Sequence, residues 1–170
     1  MTAATMTQAG TFRDAMASFP SGVTIVTTSD EAGRWWGFTA TSFSSVSMDP
    51  PLVLTCLATS AECYPVFEAA QSWVVHFIET DQTDLAMRFA TRGADKFAGA
   101  GFTADESGLP ILGNAHVTLR CSSYAKYPGG DHLILVGRVE EAEIDDAGLP
   151  AIYFRRKFHV PPLRIEGIQV

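Results

Sequence analysis

The chain is poor in cysteine, poor in charge and free of long apolar runs. Three of its 170 residues are cysteines, Cys56, Cys63 and Cys121, and no two form a CxxC pair. An odd, scattered set excludes a disulfide framework and a structural zinc site. Cys56 and Cys121 sit in apolar alternating runs and are expected to be small buried side chains. No window approaches the roughly 18 consecutive apolar residues of a membrane span. Residues 1–10, MTAATMTQAG, lack the basic start and apolar run of a signal peptide, so they are read as a frayed tail and the protein as cytoplasmic. The four histidines, His76, His116, His132 and His159, have no ligand spacing, and no metal is expected. GxSxG, HExxH and P-loop motifs are all missing. Only 12 Lys and Arg stand against 19 Asp and Glu, a net charge of −7. That balance speaks against nucleic-acid binding, although backbone N–H groups and a few arginines suffice for a small anionic ligand.

What is present is a foldable domain. Hydrophobic residues make up 46% of the chain, enough for one real core, and residues 11–170 are read as a single domain. Phe12, Met16 and Phe19 form one stripe of a short helix that Thr11 opens as N-cap, with Asp14 at its third position. β-Branched Val23–Thr28 predicts a strand, Asp30–Gly33 a turn and Arg34–Thr41 the return strand. Leu52–Leu57 and Ser72–Glu79 read as buried strands. Helices are predicted from Ser60, as cap, to Ala70 and over Asp81–Arg92. Gly93–Gly113 is expected to be mostly loop. Ala115–Tyr127 and His132–Ile144 read as strands joined by a tight turn, Pro128–Asp131. A turn over Asp145–Gly148 precedes short strands at Ile152–Phe154 and Leu163–Ile168. Many antiparallel strands with few helices point to a β-barrel. Gly99–Ala104 matches GxGxxA, but a helix precedes it and a polar loop follows, so no dinucleotide-binding turn is expected there.

Thr39, Thr41, Ser42, Ser44, Ser45 and Ser47 form a cluster of small hydroxyls between Gly37 and Pro50-Pro51. Two readings stay open: a solvated strand face, or a polar wall whose bent backbone offers unpaired N–H groups to a heteroaromatic edge or a phosphate. Thr59-Ser60 stands at a predicted helix start, where an anion is favoured. Trp35 and Trp36 are candidates for stacking on a planar ligand, or for core and dimer packing.

The order of segments resembles the flavin reductase family, the small reductase components of two-component flavin-dependent monooxygenases. The resembling blocks are Phe19-Pro-Ser-Gly-Val-Thr-Ile-Val-Thr-Thr28, then Gly37-Phe-Thr-Ala-Thr-Ser-Phe-Ser-Ser-Val-Ser47 with Asp49-Pro-Pro-Leu-Val53. Tyr127-Pro-Gly-Gly-Asp-His132 with Gly137-Arg-Val139 follows, and Tyr153-Phe-Arg-Arg-Lys-Phe158 comes last. The resemblance implies an FMN-binding split β-barrel, mainly β with a few short flanking helices. It implies hydride transfer from NADH, or NADPH, to FAD or FMN, with reduced flavin passing to a separate monooxygenase. It also implies a homodimer. Thr39, Ala40, Thr41 and Ser42 would lie along the flavin ring, and Ser45, Val46 and Ser47 would continue that wall. Cys56, Leu57, Ala58, Thr59, Ser60, Ala61 and Glu62 would wrap the ribityl chain and phosphate, with Phe89 and Ala90 near the tail. His132 would face the nicotinamide and flavin rings. Tyr153, Phe154, Arg155, Arg156 and Phe158 would close over the nicotinamide nucleotide. The chain departs from the family pattern at Arg156-Lys157-Phe158, where glycine and an aromatic residue are usual. Hydride transfer needs no strong protein acid or base, so the missing triads are expected. The other reading is a flavin-binding module, or an FMN-bound split-barrel oxidoreductase that does not release its flavin.

Overall fold

A computed structural model describes residues 9–145 and 148–161. The first helix, α1, spans Ala9–Ala17. Thr11 therefore lies inside the helix rather than capping it, and Ala9 and Gly10 are helical rather than tail. The stripe Phe12, Met16 and Phe19 is exposed. After the short β1 (Ser21–Gly22) come β2 (Thr24–Ser29) and β3 (Trp35–Ala40), the predicted hairpin. In β2, Thr24 through Thr28 are all buried, and the threonines tolerate this because each hydroxyl donates to a carbonyl. Thr24 reaches Ala40 (3.0 Å), Thr27 reaches Pro110 (2.8 Å) and Thr28 reaches Ser72 (2.8 Å).

Ser44–Met48 forms β4 and Pro51–Ala58 forms β5, joined through a cis Asp49–Pro50 peptide. The hydroxyl cluster thus includes a strand at a sheet edge instead of a free loop. A bulge between Ser45 and Ser47 marks its one irregularity. Helix α2 is Tyr64–Ala69, with Cys63 rather than Ser60 at its N-cap and Pro65 in its first turn, where a missing N–H costs least. Lys126 donates to the carbonyls of Glu68 and Ala70 and so satisfies the end of α2. β6 follows (Ser72–Phe77), then a 3-10 turn (Thr80–Gln82) and α3 (Thr83–Ala90). A small hairpin, β7 (Phe102–Ala104) and β8 (Pro110–Leu112), breaks the expected loop. Gly99 and Gly101 both have positive φ and a strand follows them, so the GxGxxA match is indeed not a helix-opening turn. The long strands β9 (Val117–Gly129) and β10 (His132–Ile144) pair with each other. β11 (Ile152–Phe154) and β12 (Lys157–His159) make a three-stranded sheet with β1. β12 was not foreseen, the expected turn at 145–148 is only partly described, and the expected strand Leu163–Ile168 lies outside the described residues.

Seven strands form one antiparallel sheet in the order β3-β2-β6-β9-β10-β5-β4. The sheet curls around a core that includes Val26, Phe38, Leu57, Phe67, Trp73, Leu119 and Leu135. Curling brings β9 and β10 against Trp73, and Gly137 makes room: a Cβ there would lie 2.9 Å from both the Trp73 ring and the Cys121 Cβ. A second core forms where α3 and β8 pack against the outer face of β2, around Ile25, Ile78, Ala86, Phe89 and Leu112.

His76 sits between these layers, wholly buried. Its Nδ1 meets the Ile25 carbonyl at 3.0 Å, and its Nε2 accepts the Leu112 N–H at 3.2 Å. That pairing fixes the neutral tautomer, and burial draws the pKa down to about 4. The folded state therefore resists a proton that the unfolded chain takes up near pH 6.5. This contribution is complete above pH 6.5 and is lost progressively as pH falls towards 4. Denaturant titrations across that window should show stability falling by up to about 3 kcal/mol from this group. The variant His76→Gln should be less stable at neutral pH and show a flatter slope; an unchanged slope would overturn the assignment.

Candidate functional site

A cleft of about 370 Å³ opens where β3, the end of β5, the loop into α2, the end of α3 and the start of β10 converge. Its apolar surface comes from Phe38, Leu57 and Phe89, and its polar rim from Thr39, Ser60, Glu62, Arg92, Lys96 and His132. A flat aromatic ligand suits the first set, and an anionic tail suits the second.

Ten of the residues expected from the sequence line it: Thr39, Cys56, Leu57, Ala58, Ser60, Ala61, Glu62, Phe89, Ala90 and His132. They come from four separated segments. Thr39 is engaged more than expected, since its hydroxyl donates to the Ala86 carbonyl at 2.6 Å and ties β3 to α3. Cys56 is half-buried rather than a core thiol. Burial pushes the Cys121 thiol up to about 12, so that cysteine is inert, and burial raises Cys63 as well.

Other expected residues stand elsewhere. Ala40 is buried beneath the wall. Thr41, Ser42, Ser45, Val46 and Ser47 do not line the cleft: Ser45, Val46 and Ser47 belong to the edge strand β4. The Ser42 hydroxyl instead accepts the Cys56 N–H at 2.9 Å. Thr59 serves the hairpin, donating both its N–H (2.9 Å) and its hydroxyl (3.1 Å) to the Asp131 carbonyl. With α2 starting at Tyr64, no helix dipole acts at Thr59 or Ser60. Tyr153, Phe154, Arg155, Arg156 and Phe158 reach neither this cleft nor its larger neighbour. Tyr153 and Phe158 meet edge to face at 5.2 Å and pack against the second core. Arg155 and Arg156 form the two-residue turn between β11 and β12, both with positive φ (49° and 61°). Arg156 pairs with Asp14 at 2.6 Å, and the Arg155 N–H donates to the Ala17 carbonyl at 2.7 Å.

Phe38, Cys63, Arg92 and Lys96 were missed. Two cations four residues apart around Gly93, in a chain so short of cations, were the available signal. The Lys96 ammonium is half-buried, donates to the Gly37 carbonyl at 3.0 Å and is held below its ordinary pKa by burial. Arg92 lies 3.4 Å from Glu62. Across the cleft, His132 Nδ1 lies 2.7 Å from Asp131 Oδ1. The hydrogen bond from His132 holds the Asp131 carboxyl below its usual range. A carboxylate only accepts, so Nδ1 carries the proton and Nε2 is the free ring nitrogen.

The cleft therefore combines an apolar floor, cations at Arg92 and Lys96, and a histidine whose Nδ1 is engaged by Asp131. The sequence profile of the "Flavin reductase like domain" matches residues 16–161, and the chain belongs to that family. It is 47% identical to the actinorhodin polyketide dimerase of Streptomyces coelicolor over 88% of this chain and 84% of that one. It is 46% identical to an NADH:riboflavin 5'-phosphate oxidoreductase of Streptomyces pristinaespiralis, over 88% and 86%. Among solved structures it resembles the NADH:FAD oxidoreductase of Streptomyces globisporus in complex with NAD and FAD fragments, with a TM-score of 0.86, 31% identity and coverage of 94% and 96%. The expected split barrel is therefore the fold observed.

Cys56 offers a direct probe. In the folded protein one thiol, Cys56, should react readily with a thiol reagent while Cys63 and Cys121 wait for unfolding. A ligand seated in the cleft should slow that reaction; equal labelling of all three would contradict the burial described.

Proposed function

We propose that this protein is an NAD(P)H-dependent flavin reductase that delivers reduced flavin to a separate monooxygenase. The observation that carries the reading is the convergence of Thr39, Cys56–Glu62, Phe89–Ala90 and His132 on one cleft. The residues fit a flavin: a ring has an apolar floor at Phe38, Leu57 and Phe89, and a phosphate has Ser60, Arg92 and Lys96. When bound, the flavin supplies the acceptor for hydride from the nicotinamide.

The chain's own residues do the rest. β5 and the turn after it present backbone and small side chains, so a planar ligand approaches without steric conflict. Phe89 and Phe38 exclude water from the floor, which strengthens every polar contact at the rim. Asp131 holds His132 in one tautomer and leaves Nε2 free, and His132 lines the cleft, where that nitrogen would orient the nicotinamide or hold a proton. No general base is required, in keeping with the cleft's composition.

The wider reading has its own support. The edge strand β4 exposes Val46 and Met48, α1 exposes Phe12 and Met16, and Phe19 just after it is exposed too; covering them is what a homodimer would do. Within a dimer, the Tyr153–Phe158 block of one subunit is available to the nucleotide over the cleft of the other. No helix among the described residues is long and apolar enough to cross a membrane, which accords with a cytoplasmic site of action.

Purified protein mixed with flavin and NADH or NADPH should oxidise the nicotinamide in a flavin-dependent way. If it binds flavin but oxidises neither nucleotide, it is the binding module instead. His132→Ala should lower kcat/KM for the nucleotide about tenfold or more while changing flavin affinity far less. Equal loss in both would remove the assigned role, and Asp131→Asn should show a milder version of the same split.

A further inference from the structure

Cys56 is half-buried and lines the cleft, whereas Cys63, which also borders it, is 3% exposed and Cys121 is buried in the core. Its neighbours make Cys56 more than an isolated thiol. β5 and β10 pair with His132 opposite Ala58 and Ile134 opposite Cys56. Alternation along each strand therefore sets Cys56, Ala58, His132 and Ile134 on one face, with thiol and imidazole as diagonal neighbours. Diagonal positions of paired strands lie about 7–8 Å apart, within reach of a long ring side chain. Both residues line the same cleft, and Asp131 engages His132 Nδ1 at 2.7 Å, leaving Nε2 as the free acceptor. The Ser42 hydroxyl holds the Cys56 N–H at 2.9 Å and its carbonyl at 3.3 Å, which fixes where the side chain starts. Arg92 and Lys96 add positive charge to that cleft. An accessible thiol beside an imidazole and cations is the setting in which sulfur acts as a nucleophile.

We propose that Cys56, served by His132, is a peroxide-sensing modification site whose oxidation closes the cleft to flavin. The inference rests on the flavin reading above and adds a regulation of that site. The oxidant is hydrogen peroxide, formed when dioxygen takes two electrons from free reduced flavin. His132 Nε2 takes the thiol proton, and the sulfur attacks one peroxide oxygen. The O–O bond breaks, and the departing hydroxide recovers the proton from the imidazolium and leaves as water. Sulfur loses two electrons, the peroxide gains them, and thiol plus peroxide becomes sulfenic acid plus water. A small thiol restores Cys56 through a mixed disulfide. The new S–OH group occupies the wall at residues 56–62 where the ribityl chain and phosphate would lie. Peroxide accumulates where no monooxygenase consumes the reduced flavin, so the switch halts wasteful oxidation of the nicotinamide.

The test treats the full chain, free of flavin and nucleotide, with hydrogen peroxide, traps sulfenic acid with dimedone and maps the adduct by mass spectrometry. Cys56 should be labelled at least about tenfold faster than Cys63 or Cys121. His132→Ala should slow that labelling about tenfold or more, a readout independent of hydride transfer. Peroxide-treated wild type should bind flavin about tenfold more weakly by fluorescence titration, and a small thiol should restore it. Cys56→Ser should bind flavin equally before and after treatment, whatever its starting affinity. An unlabelled Cys56, labelling unaffected by His132→Ala, or oxidised protein that binds flavin as before overturns the proposal and leaves the reductase intact. Untreated wild type that binds no flavin brings down the reductase reading and the switch together.

Discussion

The seam between the end of β3 and the middle of β5 is held by one serine. Ser42 accepts the Cys56 N–H at 2.9 Å and turns its own proton towards the Cys56 carbonyl at 3.3 Å. A seven-stranded sheet has two edges, and twist alone does not close them. Here β4 occupies one side of β5, and the loop after β3 is tied down by this contact and by Phe43, whose ring meets Phe77 edge-on at 4.8 Å. The result is a barrel left ajar. Cys56, whose N–H and carbonyl this hydroxyl engages, lines the cleft, so the bridge at Ser42 steadies one stretch of the cleft wall.

The cleft's second wall depends on how closely α3 approaches β3. Gly37 permits it: a Cβ at that position would come within 2.7 Å of the Phe89 ring. Thr39 then reaches the Ala86 carbonyl, and Lys96 reaches the Gly37 carbonyl. Three contacts from one helix and its following loop seat on two positions of a single strand, Gly37 and Thr39. They explain why Phe89 serves both as second-core residue and as cleft floor. Packing and site are one arrangement here, so the floor has the rigidity of a core and the rim has the adaptability of a loop.

The legible parts of this fold were those written in periodicity and β-branching. The hairpin of β2 and β3, the buried β5 and β6, and the long β9–β10 pair followed from residue pattern, with ends displaced by a residue or two. What was not legible had long-range causes. Whether Thr39 and Ser42 face ligand or protein depends on Ala86 and Cys56, partners far away in sequence, and a hydroxyl carries no sign of its partner. Ser60 resembles a helix cap, but Pro65 and the geometry at Cys63 delay the helix. The Arg155–Arg156 turn was obscure for another reason: positive φ at both positions is normally signalled by Asn or Gly, and here tertiary contacts to α1 impose it. Ten of the fourteen residues that line the cleft were visible because the resemblance marked whole segments. Lys96 was not, because it acts from a stretch with no period.

Charge placement resolves an apparent conflict between an acidic chain and an anionic ligand. Several of the few cations are committed to structure: Arg120 to Asp105, Glu141 and Glu143, Arg156 to Asp14, and Lys126 to the carbonyls ending α2. Arg34, Arg92 and Lys96 stand instead at the borders of the two clefts. In a partly desolvated groove a single ammonium outweighs several distant, water-screened carboxylates, because interaction energy falls with both distance and dielectric. Arg92 pairs with Glu62 at the mouth, while Lys96 is the half-buried cation between the two clefts. A carrier that is reduced here and used elsewhere must be held and then let go. One half-buried cation on an otherwise acidic body would meet both needs, holding a phosphate end without the multidentate cage that would retain it.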